Sequence, residues 1–343
     1  VALVRLPPTA RFRTFEPLDG LSFALYAVGF ALFSAAIGLG SYLWWTNTPW
    51  IAWCLIGALP CFALVICIEY VRERPLIDVR WLTAATFVRW ATIAIICRFV
   101  QSEQSVGVMT MLRDFGLAND DIRPLSLAIL GGAIAGLAVS AWLVTPARLI
   151  WLVLASLLLA ACAAYLNSFS STLTRVPQVI VSQAMMGMAG AMFIGPSFIF
   201  GLGRVLAERG VRMTSFIALF GITQSVGTLV GNAFTQTYLY HAQQYHLADL
   251  AAQTERSDTT VSALTTTLSS QYLSVLTDPA LRAAEGVQAL SQQVVLNARV
   301  AAYNDVFLAI SAIAAFGALI LLCFMAAGRI RVFLDQRFGR TTS

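Results

Sequence analysis

The chain contains no lysine, two histidines and only 17 acidic residues, and charged side chains make up 11% of its 343 residues. Soluble domains carry about a quarter. With 58% apolar residues and a mean hydropathy of +0.76, so little charge excludes an ordinary aqueous globule, and lipid is the expected solvent for most of the chain. The six cysteines (Cys54, Cys61, Cys67, Cys97, Cys162, Cys323) fall inside apolar runs, with no CxxC pair and no histidine at metal-ligand spacing. They read as apolar filler. His241 and His246 sit just beyond an apolar run in a polar segment, which suits an interfacial place better than a metal site. No Ser/His/Asp set, phosphate-cradling glycine loop or dinucleotide fingerprint is present, so neither an enzyme nor a bound cofactor is expected.

The absence of lysine leaves 22 arginines as the only long cationic side chains. This could reflect bidentate partners or genome composition, and no function is taken from it. The arginines cluster between apolar runs, the pattern of membrane loops, which argues against nucleic acid as a partner. No initiating Met and no small-residue cleavage site accompany Val1, Arg5, Arg11 and Arg13, so the sequence reads as a piece of something longer.

Charge-free gaps define the spans. No Asp, Glu, Arg or His occurs at 20–68, 125–147, 149–174, 176–203, 213–240 or 306–328, and each gap holds at least one crossing of about 20 residues. Spans are expected at 21–41, 50–68, 86–112, 125–144, 150–166, 176–202, 214–240 and 306–327. These long Leu/Ala/Ile runs lack the short alternation of a β-barrel, so the fold expected is an all-α membrane protein of about eight transmembrane helices. With the N-terminus inside, the inner segments carry fourteen arginines (5, 11, 13, 72, 74, 80, 148, 204, 209, 212, 329, 331, 337 and 340) and the outer segments six, three of them (256, 282, 299) in one long loop. Both ends are therefore expected in the cytoplasm. Trp44, Trp45 and Trp50 at the first outer turn, with Trp81 and Trp90 at the inner end of the third span, read as interfacial anchors.

Residues 241–302 are polar, with Leu264, Leu268 and Leu273 and then Leu281, Val287, Leu290 and Val294 at near-helical spacing. Two or three amphipathic helices are expected there, the last capped by Asp278 with Pro279 in its first turn. The segment reads as a solvated cap or as a docking place for a periplasmic partner.

The third span holds Arg98, Gln101, Glu103 and Gln104 between Arg89 and Arg113, which lie roughly 36 Å apart along a helix. A charge near the midplane costs at least about 2.5 kcal/mol and should face the bundle interior or a water-filled cavity. At 100° per residue Arg98, Gln101, Ser102 and Ser105 share a face, and Glu103 lies about 140° from Arg98. Glu103 is thus a candidate protonatable residue, and Arg98 a counter-charge or anion contact. The alternative is a structural network with Gln183, Gln224 or Asn232 on other spans. Met185, Met186, Met188 and Met192 accompany Gly187, Gly190, Gly195 and Pro196 in the sixth span, and Gly221, Gly227 and Gly231 mark the seventh. This pattern suits close helix packing, although Met186 and Phe193 facing a cavity would also suit varied apolar ligands. Asn304 and Asp305 at the outer end of the last span read as cap or gate residues.

Leu6-Pro7-Pro8, Asp19-Gly20 opening a span, and Glu69 to Asp78 (EYVRERPLID) leading into a third helix resemble the middle of the fourteen-helix EmrB/QacA-type drug:proton antiporters of the major facilitator superfamily. Phe216 to Phe234 (FIALFGITQSVGTLVGNAF) resembles that family's penultimate helix, and Ala301 to Phe307 (AAYNDVF) the approach to its last. The resemblance implies two extra helices within 1–80 and the C-terminal six-helix bundle over 81–343, including a periplasmic loop at 241–302. It also implies a missing N-terminal six-helix bundle, whose export motif lies outside this sequence. Thr145 to Arg148 lacks the Gly-x-x-x-Asp-Arg gating motif of many superfamily members. The implied function is proton-coupled multidrug efflux across a bacterial inner membrane, driven by the proton gradient. The implied partners are membrane lipid, an amphiphilic substrate, a periplasmic adaptor and an outer-membrane channel. Alternatives are a dedicated exporter of one metabolite, such as an aromatic acid or siderophore, and a non-transporting membrane scaffold.

Overall fold

The computed structural model of the chain describes residues 16–73, 75–208, 212–256, 258–274 and 277–337, with side chains except at 253–260 and 329–337. Leu6-Pro7-Pro8, Arg5, Arg11, Arg13, Arg74, Arg209 and Arg340 lie outside the described residues. Helices account for the ordered structure, and no strand occurs among the described residues. Among the described residues, seven single helices are long and apolar enough to cross a membrane. The chain is thus an all-α, multi-pass membrane protein in architecture. It divides into two compact units.

The first unit contains α1 (Pro17–Leu43), α2 (Pro49–Val71), the short α3 (Val79–Leu82) and Arg212–Ala218, which opens α9. Proline starts both α1 and α2, where its missing N–H costs nothing. The two pair closely because Gly29 leaves room for Phe62, whose ring lies 4.9 Å from that of Phe30 in an edge-on contact. Phe23, Trp53 and Leu59 point outward and are two-thirds exposed, as lipid-facing side chains must be.

The charges of this unit gather at one end. Arg72 Nη2 reaches Asp19 Oδ1 at 2.7 Å and Glu16 Oε2 at 2.9 Å, while Nη1 reaches Glu69 Oε1 at 3.1 Å. Glu69 is buried, and it also accepts from the Ser22 hydroxyl and from the backbone N–H of Ile77. Asp78 caps α3 through the Trp81 N–H at 3.0 Å and pairs with Arg212 Nε at 2.8 Å. The Glu69 to Asp78 run is therefore a charge-paired corner, in which one guanidinium serves three carboxylates.

The second unit begins with a helical run over 85–114, where the third span was expected. It comprises α4 (Ala85–Val100), a π-helical segment (Glu103–Val108) and α5 (Met109–Asp114). No single piece is long enough to cross, which is why the structure has seven single-helix spans. Then follow α6 (Asn119–Leu143), α7 (Leu149–Asn167), α8 (Val176–Ala207), α9 (Met213–Arg256, in this unit from Leu219), α10 (Asp258–Ser270) and α11 (Pro279–Arg337). α8 is central, with 50% of its most apolar stretch buried against 17% for α6. Its neighbours press on its backbone. A Cβ at Gly132 of α6 would stand 2.0 Å from the Ala184 carbonyl oxygen, one at Gly136 2.5 Å from that of Met188, and one at Gly187 2.5 Å from that of Ile129.

The segment 241–302 is helical, as expected, but two of its helices are continuous with spans. α9 continues to Arg256 and α11 begins at Pro279, so only α10 stands apart. The 44 residues of α9 and 59 of α11 would extend about 66 and 88 Å, well beyond a hydrocarbon core of about 30 Å. The polar Gln/Ser/Thr composition serves a solvated helix as well as a loop, and it hid this continuity. Asp278 does cap α11, its Oδ1 accepting from the Ala280 N–H at 2.9 Å.

The glycine contacts give a paired test. Gly132→Val is expected to lower thermal stability in detergent by the equivalent of about 1–3 kcal/mol, the usual cost of overpacking. Gly131→Val, with nothing within 4 Å of its added Cβ, should leave the melting temperature nearly unchanged. Equal losses would contradict the packing described.

Candidate functional site

Glu103 opens the π-helical segment and is fully buried. Its side chain fits because Gly107, one turn on, leaves the space: a Cβ there would lie 3.2 Å from Glu103 Cγ and 2.9 Å from the Phe307 ring. Three bonds from two other helices hold the carboxylate. Asn167 Nδ2, at the end of α7, donates to Oε1 at 2.8 Å. Gln183 Nε2, on α8, donates to Oε1 at 3.1 Å and to Oε2 at 3.2 Å. The Ser182 hydroxyl in turn donates to Asn167 Oδ1. No cation pairs with Glu103 among the described residues.

This arrangement can accommodate both protonation states. Gln183 Oε1 is buried without a hydrogen-bond partner. Turned by 180°, the same amide would offer Oε1 as an acceptor to a protonated Glu103, while Asn167 kept its donor on the other oxygen. A buried carboxyl group with a reversible amide beside it can hold or release a proton without a counter-ion.

Arg98 lies on the other side of the span. It lines a cavity of ≈ 490 Å³ with Gln101, Gln104, Ser105, Met109, Ser126, Ile129 and Thr228, drawn from span three, α6 and α9. Small-molecule sites run from about 300 to 1,000 Å³. Arg98 Nη1 donates to Gln101 Oε1 at 2.7 Å, whereas its Nε is buried without a partner. No carboxylate pairs with it among the described residues. The amide of Gln101 rests on Gly190 of α8, and Gln104 Nε2 reaches the Gln183 carbonyl at 3.4 Å. α9 can come close because Gly227 and Gly231 have no side chain: a Cβ at Gly227 would meet Arg98 Cβ at 2.6 Å, and one at Gly231 would meet Ser102 Oγ at 2.7 Å.

The remaining candidates divide. Asn232 accepts from the Ser105 hydroxyl at 3.4 Å, at the edge of hydrogen bonding. Gln224 sits one turn before Thr228, and its Nε2 is buried without a partner. Met186 and Phe193 do not face the cavity. Both are buried in apolar clusters, Met186 with Val100, Ala189 and Ile310, and Phe193 with Ile93, Cys97 and Leu157. They fill the core because α8 is enclosed where small residues draw its neighbours in. Ser102 is buried against Gly231 of α9, one turn on from the contact of Arg98 with Gly227.

Asp305 Oδ2 lies 2.8 Å from His246 Nε2, joining α11 to the extension of α9. Its neighbour Asn304 donates to the Ser170 carbonyl at 2.9 Å, and Ser170 Oγ donates to the Asn167 carbonyl at 2.8 Å. A line of polar groups thus runs from Asn304 to Asn167 and Glu103. Asn167 and Ser182 were not anticipated from the sequence. The available signal was that Asn167 is the one amide in a charge-free run of 26 residues, 149–174.

Neither a protein-family model nor a curated protein sequence matches this chain.

Asn167→Leu removes a donor from Glu103 and an acceptor from Ser182. It is expected to cost about 1–3 kcal/mol in detergent unfolding. The penalty should shrink in a Glu103→Gln background, because partners that act together are not additive. Additive losses would mean that Asn167 does not hold the carboxylate.

Proposed function

We propose that this chain is the C-terminal part of a proton-coupled exporter of amphiphilic small molecules, of the EmrB/QacA type within the major facilitator superfamily. The observation that carries this reading is the pairing, five residues apart on one interrupted span, of a buried carboxylate without a counter-ion and an arginine facing a cavity. A buried ionisable group inside a span is costly and is retained where it does work, in proton relays and substrate pathways above all. In this reading Glu103 carries the proton, the cavity around Arg98 holds the cargo, and amphiphile leaves as protons enter.

The cavity combines Gln, Ser and Thr with Met109 and Ile129, so a cargo with a polar end and an apolar body suits it. The π-helical segment joins the two sites and is the part of the span whose hydrogen bonding is most readily rearranged. A change in the protonation of Glu103 and a change in the cavity would then be two ends of one movement. The rest of the machine follows from the resemblance. It comprises an upstream six-helix bundle that rocks against this one, a bacterial inner membrane with both ends of this segment in the cytoplasm, and a periplasmic adaptor with an outer-membrane channel as partners. Coupling uses the proton gradient and no bound cofactor.

A second reading is favoured by one specific feature. An arginine that faces the cavity without a carboxylate partner suits a dedicated exporter of an acidic metabolite, for which the cargo's own carboxylate would supply the counter-charge.

The test is drug accumulation in efflux-deficient bacteria expressing the chain with an upstream bundle restored. Accumulation should fall, recover with a protonophore, and stay high in Glu103→Gln although that variant inserts normally. Export that survives in Glu103→Gln would overturn the proton assignment. Arg98→Gln separates the two readings: loss of export for an aromatic acid alone favours the dedicated exporter, and equal loss for neutral and cationic dyes favours the multidrug one. An inserted protein that moves neither compound would leave a non-transporting scaffold as the better description.

A further inference from the structure

A second cavity lies at one end of the second unit and has no part in the site just described. It measures ≈ 300 Å³ and is walled mainly by apolar side chains, among them Ile93, Val153, Phe200, Leu321 and Phe324. Four helices meet there at corresponding ends. Arg89 is one turn from the start of α4, Leu149 is the first residue of α7, Arg204 is three residues from the end of α8, and Phe324 lies towards the C-terminal end of α11. This is the arginine-rich end of the bundle.

Two cations line this apolar space. Arg89 Cζ lies 5.5 Å from the centre of the Phe324 ring, and Arg204 Cζ lies 5.5 Å from that of Phe200. Each guanidinium lies within cation–π range of an aromatic ring in the wall of the cavity, a contact that leaves its N–H donors available for another partner. No carboxylate lines the cavity, and neither arginine forms a salt bridge among the described residues. Pro196 cannot donate to the carbonyl one turn back, and Trp90 Nε1 reaches across from α4 to the Ser197 carbonyl at 3.2 Å, fixing the mouth between α4 and α8. At Ile150, 37% exposed, the wall reaches the outer surface.

We infer that this cavity binds an anionic phospholipid, the phosphate lying between Arg89 and Arg204 and part of an acyl chain entering the apolar pocket. The shared chemistry is a phosphate anion, which a lipid headgroup or free phosphate could supply. The apolar walls, the opening towards the lipid-facing surface and the position at the span ends favour the lipid. Basic pockets between spanning helices are where such headgroups are held. The inference is independent of the transport reading, because it concerns different residues and needs no flux.

The test uses the purified, delipidated chain in detergent and native mass spectrometry. Dioleoylphosphatidylglycerol, dioleoylphosphatidylcholine and inorganic phosphate are added in separate arms. The phosphatidylglycerol adduct should be retained in clear preference to phosphatidylcholine. Retention should weaken by about fivefold for each of Arg89→Gln and Arg204→Gln. The conservative pair Arg89→Lys and Arg204→Lys should recover part of the loss, since it keeps the charge and gives up the guanidinium's contact with the rings. Equal retention of the two lipids by the unaltered chain would overturn the inference without recourse to variants. So would displacement of phosphatidylglycerol by millimolar inorganic phosphate, which would assign the site to the free anion, or unchanged preference in the double glutamine variant.

Discussion

A carboxylate enclosed by apolar helices must be hydrogen-bonded, and Glu103 meets that demand by drawing three helices together. Asn167 must sit at the end of α7 and Gln183 two turns into α8 for their amides to reach it. The π-helical segment must bring the side chain towards them, and Gly107 must stay bare so that Phe307 of α11 can close over the same turn. Breaking such a network by removing one member leaves a polar group unsatisfied in a low-dielectric interior, which costs more than the bond itself. The position of the span, the end of α7 and the seating of α11 are thus linked through one side chain.

The rest of the second unit is assembled by close approach. Between helices in lipid there is little hydrophobic driving force, since the tails outside are as apolar as the leucines inside, so packing depends on how near two backbones can come. Gly132 and Gly136 against α8, Gly187 against α6, and Gly227 and Gly231 against span three all serve this end. Leu127, Leu130, Ile134 and Leu137 are meanwhile left on the outer face of α6. The result is an inside-out economy in which small residues define the interior and large ones face the solvent.

Much of this architecture was legible in the sequence. Charge-free gaps located seven of the helices, and the four polar residues of span three marked it as unusual before any contact was known. Gln183 was among the candidate partners because an amide within a span needs a reason to be there. Other features could not be read. Met186 and Phe193 suit a core and a cavity equally by chemistry, and only the enclosure of α8 decides for the core. The lengths of α9 and α11 were hidden because a polar helix and a polar loop share a composition. The π-helical segment has no periodic signature, so nothing in the sequence marked where span three would be interrupted.

The separation of Arg98 from Glu103 bears on the proposed mechanism. If Arg98 and Glu103 were a direct ion pair, protonating the carboxylate would release the arginine, and coupling would be a simple exchange of partners. They lie on different faces of the span, and each has its own set of contacts, so no such exchange is available. Any coupling between them must travel through the backbone that separates them or through the polar groups wrapped around it. Gln104 offers one route, because its side chain lines the cavity and reaches the carbonyl of Gln183, the residue whose amide holds Glu103. A shift of the Gln183 backbone with the state of Glu103 would be felt one residue away from the carboxylate, on the cavity side. The π-helical segment, whose bonding is less constrained than that of the α-helices flanking it, is where such a movement could be absorbed without unseating the glycine contacts on either side.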